Sequence, residues 1–196
     1  KPMRINIKRR MTLDRSTIRN LELVRGSYTG EVEDSLFSII DRTSTRMGRR
    51  LLYSWVLNPL IEKNEIDSRL DFVEMMFKDD GKLYEIRKEL ENISDIDRIL
   101  GKIGLNRVSA RDLKALEISL TSSLLILEKL GGNFKKDLDT KPITEVVSTI
   151  QKTINDDPPL SVTEGGIIKA GLNSEIDKLR DISGTGKSWI KEFEES

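Results

Sequence analysis

The chain has 196 residues with no cysteine and no histidine, which excludes disulfides, Cys/His zinc sites, thiol nucleophiles and every triad built on an imidazole. Charged residues make up 34%, apolar residues 37% and aromatics 5%, the profile of a soluble, mostly helical protein with an aliphatic core. Lysine and arginine number 33 against 33 acids, so overall charge favours neither nucleic acid nor membrane; residues 1–53, however, hold twelve bases and six acids and are +6, leaving −6 for the remainder. A basic end of this kind meets nucleic acid, an acidic neighbouring domain, or solvent. The longest uncharged helical run, Ile118–Leu127, is far short of the roughly 20 apolar residues that cross a bilayer, and no signal peptide is visible. The chain begins at Lys1 and stops inside a charged helical pattern, and it reads as a segment of a longer protein.

In chain order, a basic lead gives way to Thr12-Leu13-Asp14-Arg15-Ser16 and a short helical or extended stretch through Val24, with Gly26 and Gly30 marking a turn. From Glu33 the pattern is helical. Ser44 is the expected cap of a helix whose apolar face is Met47, Leu51, Leu52, Trp55 and Val56, ended by Asn58-Pro59. A helix over 62–78 follows, with Ile66, Leu70, Val73, Met76 and Phe77 expected inward and Asp79-Asp80-Gly81 as its stop. Shorter helices are expected at 82–92 and 95–104, the second opened by Ser94 with Asp97 three residues on. Ser109 and Asp112 form the same device before a long helix with Leu113, Leu116, Leu120, Leu124 and Leu127 on one side and Gly131-Gly132 at its end. The spacing predicts another helix over 143–154, carrying Ile143, Val146, Val147, Ile150 and Ile154. Asp156-Asp157-Pro158-Pro159 then stops it, an extended piece runs through Glu164-Gly165-Gly166-Ile167-Ile168, and a last helix starts near Asn173 or Ser174.

The tail, Asp181-Ile182-Ser183-Gly184-Thr185-Gly186-Lys187-Ser188-Trp189, ends like a phosphate-binding loop. Such a loop needs glycine five residues before Gly186, where Asp181 stands, and it needs a preceding strand, where Glu175–Arg180 is helical in pattern. The competing reading is a heptad seam through Ile176, Leu179, Ser183, Gly186, Ile190 and Phe193, and it passes straight through the supposed loop. Two interior glycines cost such a helix about 2 kcal/mol of propensity, which packing can offset. Other candidates divide in the same way. Asp156-Asp157 and Asp79-Asp80 suit either Mg²⁺ or ordinary turns, with the turn favoured. Trp55 sits on an apolar face and reads as core, while Trp189 beside the seam reads either as core or as a stacking platform. Arg46, Arg49 and Arg50 suit contact with DNA phosphate or an interdomain ion pair, against the plain alternative of a solvated helix face.

Beyond composition and period, Thr12–Leu23 resembles the entry to the core domain of the MutS mismatch-repair family. Ser35–Leu60 is similar to the most distinctive core stretch of that family, with Asp41-Arg42-Thr43, Thr45, Met47-Gly48, Arg50-Leu51-Leu52, Trp55 and Pro59-Leu60 in place. The resemblance continues at Arg69–Glu74, Asp95–Ile103, Ala110–Leu113, Pro158-Pro159, Glu164–Gly171 and Glu175–Arg180, in order; Leu172 departs from the aromatic usual after that glycine.

The resemblance implies an all-α fold: an irregular multi-helix bundle with a long lever helix at the C-terminal end and minor extended segments near the N-terminus and around 160–170. It implies one core/lever domain over 1–196, divided into an entry segment 1–32, a helical core 33–155, an extended connection 156–172 and the start of a lever from 173–196 toward an absent clamp. It further implies no catalytic, cofactor or metal residue in this segment. ATP and Mg²⁺, duplex DNA with mispairs, a second MutS subunit and a MutL-type factor belong to the longer protein, with no membrane and a cytoplasmic location. Phe72-Val73-Glu74 and Phe193-Glu194-Glu195 lie in helical patterns and are not the family's mismatch-reading Phe-x-Glu. The alternative expectation is a helical scaffold of another pathway.

Overall fold

The computed structural model describes residues 10–131 and 138–182. Its described elements are helices α1 (Arg15–Asn20), α2 (Leu36–Ile40), α3 (Arg46–Leu57), α4 (Lys63–Phe77), α5 (Asp80–Glu91), α6 (Ile96–Gly104), α7 (Ala110–Leu130) and α8 (Lys141–Thr153), a single 3₁₀ turn at Val162–Glu164, and a helical stretch over 174–182. The fold is all-α. Among the described residues the only β pairing is two isolated antiparallel bridges, Arg10 with Leu60 and Ile154 with Ile168. No described helix is long and apolar enough to cross a membrane.

The helices begin where short polar side chains satisfy the first free N–H groups. Asp14 accepts from Thr17 N at 2.6 Å and Ser35 from Ser38 N at 3.2 Å. Ser109 and Asp112 form a reciprocal capping box at the head of α7, as the sequence indicates. Two caps and one helix start differ from the expected places. Thr45, not Ser44, caps α3, its hydroxyl accepting from Gly48 N at 2.9 Å. Asp95, not Ser94, caps α6, its carboxylate accepting from Arg98 N at 3.4 Å, while the Ser94 N–H donates to Ser119 Oγ at 2.9 Å. Asp79 accepts from Lys82 N at 2.9 Å and so opens α5 two residues before the expected start.

α7 is the central strut. Ile99 of α6, Leu116 of α7, Ile150 of α8 and Ile154 just beyond it form the buried cluster, with Leu113, Leu120, Ile167 and Ile168 packed around it. The buried side of α7 also carries Ser119 and Ser122. Ser119 donates to Ala115 O at 2.6 Å while accepting from Ser94, so a small hydroxyl lets the α5–α6 connection lie close against the helix.

Toward the N-terminal side the burial is thinner. Met76 is the one buried member of the five expected inward on α4; Ile66, Leu70, Val73 and Phe77 are exposed. Trp55 is not core either. It is partly exposed, and the Arg69 guanidinium stacks 3.7 Å from the centre of its ring. Gly132, Trp189, the heptad seam beyond Ile182 and the Gly-Lys-Ser tail lie outside the described residues, as does Phe193-Glu194-Glu195. Asp181 is described, and it is helical.

Candidate functional site

The three arginines singled out in the sequence occupy the first turns of α3, and the structure gives them different surroundings. Arg49 leans back on the preceding turn. Its Nε meets Asp41 Oδ2 at 2.9 Å and its guanidinium lies 5.6 Å from the Phe37 ring centre. Phe37 is buried and meets Tyr53 edge-on, centroids 5.3 Å apart. The Thr43 hydroxyl and N–H also bind Asp41, at 2.6 and 3.2 Å; that hydroxyl first, then the N–H and Arg49, hold the Asp41 carboxyl below its ordinary range against the opposing push of burial.

Arg50 points the other way, to the head of α6. It forks onto both oxygens of Asp95 and reaches Asp97 at 2.7 Å. The two carboxylates hold the guanidinium protonated more firmly than usual. Both residues make ion pairs inside the chain, tying α3 to the 41–43 turn and to α6.

Arg46 lines an open groove of about 420 Å³ between the start of α3, the residues before α6, and α7, together with Thr45, Ser94, Arg98 and Lys102. Lys102 meets Asp112 Oδ1 at 2.6 Å, and Asp112 also accepts from the Ser109 N–H and hydroxyl. The ammonium first and the Ser109 N–H next push the Asp112 carboxyl down to about 2. Asp95 and the Lys102–Asp112 pair, charged residues of the groove wall, are thus engaged in ion pairs within the chain.

A second charged centre was not singled out from the sequence. Lys114 sits on α7 between Glu117 Oε2 at 2.9 Å and Asp156 Oδ1 at 3.2 Å, and Lys169 meets the same Asp156 oxygen at 3.1 Å. Glu117 is buried, and its other oxygen accepts from Gln151 of α8 at 2.7 Å. Burial pushes the Glu117 carboxyl up, but Lys114 and Gln151 together outweigh it and leave the group below its usual value. The three-residue spacing of Lys114 and Glu117 on one helix was the available signal. Asp156 therefore serves as a lysine partner, and Asp79 as a cap. Among the described residues no group of three acidic, histidine or cysteine side chains could hold a metal ion.

From this centre a chain of polar contacts leads to the helical stretch over 174–182. Asn155 N donates to Ile167 O at 2.9 Å and Lys169 N to Thr153 O at 2.8 Å, fastening residues 167–169 to the end of α8. Arg180 then donates to Ile168 O at 2.8 Å, and Gly171 N donates to Asp177 at 2.8 Å. Asn173 accepts from Glu175 N and Ile176 N, which starts the helix where the sequence places it.

Residues 16–195, nearly the whole of this helical assembly, match the family model of MutS domain III. The chain belongs to that family. Three similar relatives are each a DNA mismatch repair protein MutS. That of Halothermothrix orenii is 38% identical over 196 residues, covering 97% of this chain and 22% of the relative. Those of Methanococcoides burtonii and Methanosarcina acetivorans are 38% and 40% identical, each covering 94% of this chain and 22% of the relative. This MutS domain III sequence therefore spans 22% of the length of the curated relatives it matches. Within it, the residues that carried the resemblance serve largely structural contacts: Asp41, Thr45 and Arg50 around α3, Asp95 at α6, and Arg180 at the last helical stretch.

Proposed function

We propose that this domain is the structural core and lever of a MutS-type mismatch repair protein, passing conformational change between mismatch-DNA binding and an ATPase domain elsewhere in the polypeptide. The observation that carries the reading is the polar tether of residues 174–182. Arg180 to Ile168 O and Gly171 N to Asp177 fix the helix onto a connection that is itself bonded to α8. A helix rises about 1.5 Å per residue, and one held at its root passes a small tilt outward as a larger displacement. Coupling of this kind needs a rigid element with two arrangements.

On this proposal the domain has an entry segment at 1–32, a helical core at 33–155, a connection at 156–172 and the lever root from 173. It performs no chemistry itself. ATP and Mg²⁺ act in the ATPase domain, mispaired duplex DNA and a second MutS subunit are bound through the whole protein, a MutL-type factor is recruited afterwards, and the protein works in the cytoplasm. Arg49 and Arg50 hold the core together, and DNA phosphate is left to other surfaces.

The test is made in the MutS-length polypeptide. Arg180→Ala is expected to leave ATP hydrolysis without DNA unchanged and to reduce its modulation by a mismatched duplex several-fold. Unaltered modulation in a variant with normal helicity would refute the lever. Binding of a fluorescent ATP analogue by the isolated 196-residue chain, abolished by Lys187→Ala, would overturn the view that it carries no nucleotide site.

A further inference from the structure

Ile66, Leu70, Val73 and Phe77 recur along α4 at intervals of four, three and four, which sets them on one line of the helix. They are 37, 58, 60 and 80% exposed. On one side of this line α4 is packed, through buried Met76 and through Arg69 stacked on Trp55. On the other side stands an acidic rail of Asp67, Asp71 and Glu74. Residues 62–80 hold seven acids and three bases. The pairs Lys63–Asp67 and Lys78–Glu74 along the rail are exposed contacts four residues apart, too weak to neutralise it.

We propose that this face of α4 docks an amphipathic helix with an apolar seam and a lysine- or arginine-rich rim, supplied by the part of the MutS polypeptide outside this chain. The proposal rests on the reading above only for the source of that helix. The spacing of four and three matches the ridges that pack two helices side by side at about 20°. The rail selects the sign of the partner, since like charges brought together across an interface are unfavourable. It also argues against a second copy of this chain, because a symmetric pairing of α4 with itself in antiparallel sense sets one acidic rail against the other. This domain spans 22% of its relatives, so most of such a polypeptide is available to supply the helix.

The experiment places a photoreactive benzoylphenylalanine at Val73 of the MutS-length polypeptide, with the same probe at Ser68, on a different face of α4, as control. Irradiation is expected to link position 73, and not position 68, to a segment of the same polypeptide outside residues 1–196 that has helical apolar spacing and excess basic charge; links only within residues 1–196 would overturn the proposal. The triple variant Asp67→Lys, Asp71→Lys, Glu74→Lys is expected to lower that yield at least several-fold. Links only to a second copy, links to an acidic or neutral segment, or no yield above the Ser68 control would each overturn the proposal. The readout is independent of ATP and mismatch response. An uncovered stripe in a protein that couples normally removes this inference alone, and a covered stripe in one that does not couple removes only the lever.

Discussion

Arg50 of α3 holds both carboxylate oxygens of Asp95, 45 residues away, at 2.8 and 2.9 Å. The same carboxylate caps α6 by accepting from Arg98 N at 3.4 Å, so one side chain sets where α6 starts and which helix lies beside it. Arg50→Ala is expected to lower the thermal midpoint, and Arg50→Lys to recover little of it, since an ammonium cannot fork across two oxygens. A double-mutant cycle with Asp95→Asn checks the pairing: strictly additive losses would show that the pair contributes nothing, as many exposed ion pairs do.

Two glycines on helices should respond in opposite ways to alanine. At Gly101, inside α6, an added Cβ meets no atom within 4 Å, so Gly101→Ala should stabilise the chain by about 0.5–1 kcal/mol. At Gly48 the Cβ would stand 2.9 Å from Thr45 Oγ1, the oxygen that caps α3. The hydroxyl must move, and a lost cap costs about 1 kcal/mol, which offsets the propensity gain. Gly48→Ala should be neutral or destabilising in urea melts; a clear gain there would remove the steric role assigned to this glycine.

Much of the helical order was legible because it rests on local chemistry. The Ser109–Asp112 box and the leucine spacing of α7 are readable within a few residues, and both stand in the structure. Caps shift by one residue where two polar candidates stand side by side, as at Ser94-Asp95 and Ser44-Thr45, and it is the side chains of Asp95 and Thr45 that accept from an N–H three residues on. The face of α4 was misread for a different reason. Its periodicity announces an apolar stripe, but a stripe names no occupant, and within this chain only Met76 is buried. Among the candidate site residues, the cluster Arg46, Arg49 and Arg50 was visible as charge. Its acceptors Asp41, Asp95 and Asp97 were not, since for Arg50 they come from another helix.

Acid should weaken the start of α7 over a defined window. The Asp112 carboxyl is held at about 2 in the folded chain, against an ordinary value of 3.8. A depressed value means that its contribution is fully present above about pH 4 and is lost as pH falls toward 2. With Asp112 and Lys102 both partly exposed, the amount is on the order of 1–2 kcal/mol. Asp112→Asn should therefore be less stable than the parent at pH 6, and the difference should shrink between pH 4 and pH 2. Urea midpoints that stay equally far apart across that range would rule out this carboxylate as the acid-sensitive group.

The sharpest stability test lies at Lys114 and Glu117. Their side chains are 12 and 7% exposed, and Lys114 is the ammonium that meets Glu117. Lys114→Met leaves a buried carboxylate still held by Gln151 but without its cation, a loss of about 3 kcal/mol by comparison with other broken buried pairs. Lys169→Met removes only a contact to the exposed Asp156 and should cost far less. Without its lysine, Glu117 is left to the upward push of burial, so its folded value should rise above the unfolded one. Such a group contributes most at low pH and loses that contribution as pH rises. The deficit of Lys114→Met should therefore be largest near pH 7 and narrow toward pH 4, and adding Glu117→Gln should recover part of it at neutral pH. A Lys114→Met deficit independent of pH and untouched by Glu117→Gln would mean that the lysine acts through its aliphatic stem, and not by pairing with the buried Glu117 carboxylate that meets Gln151 of α8.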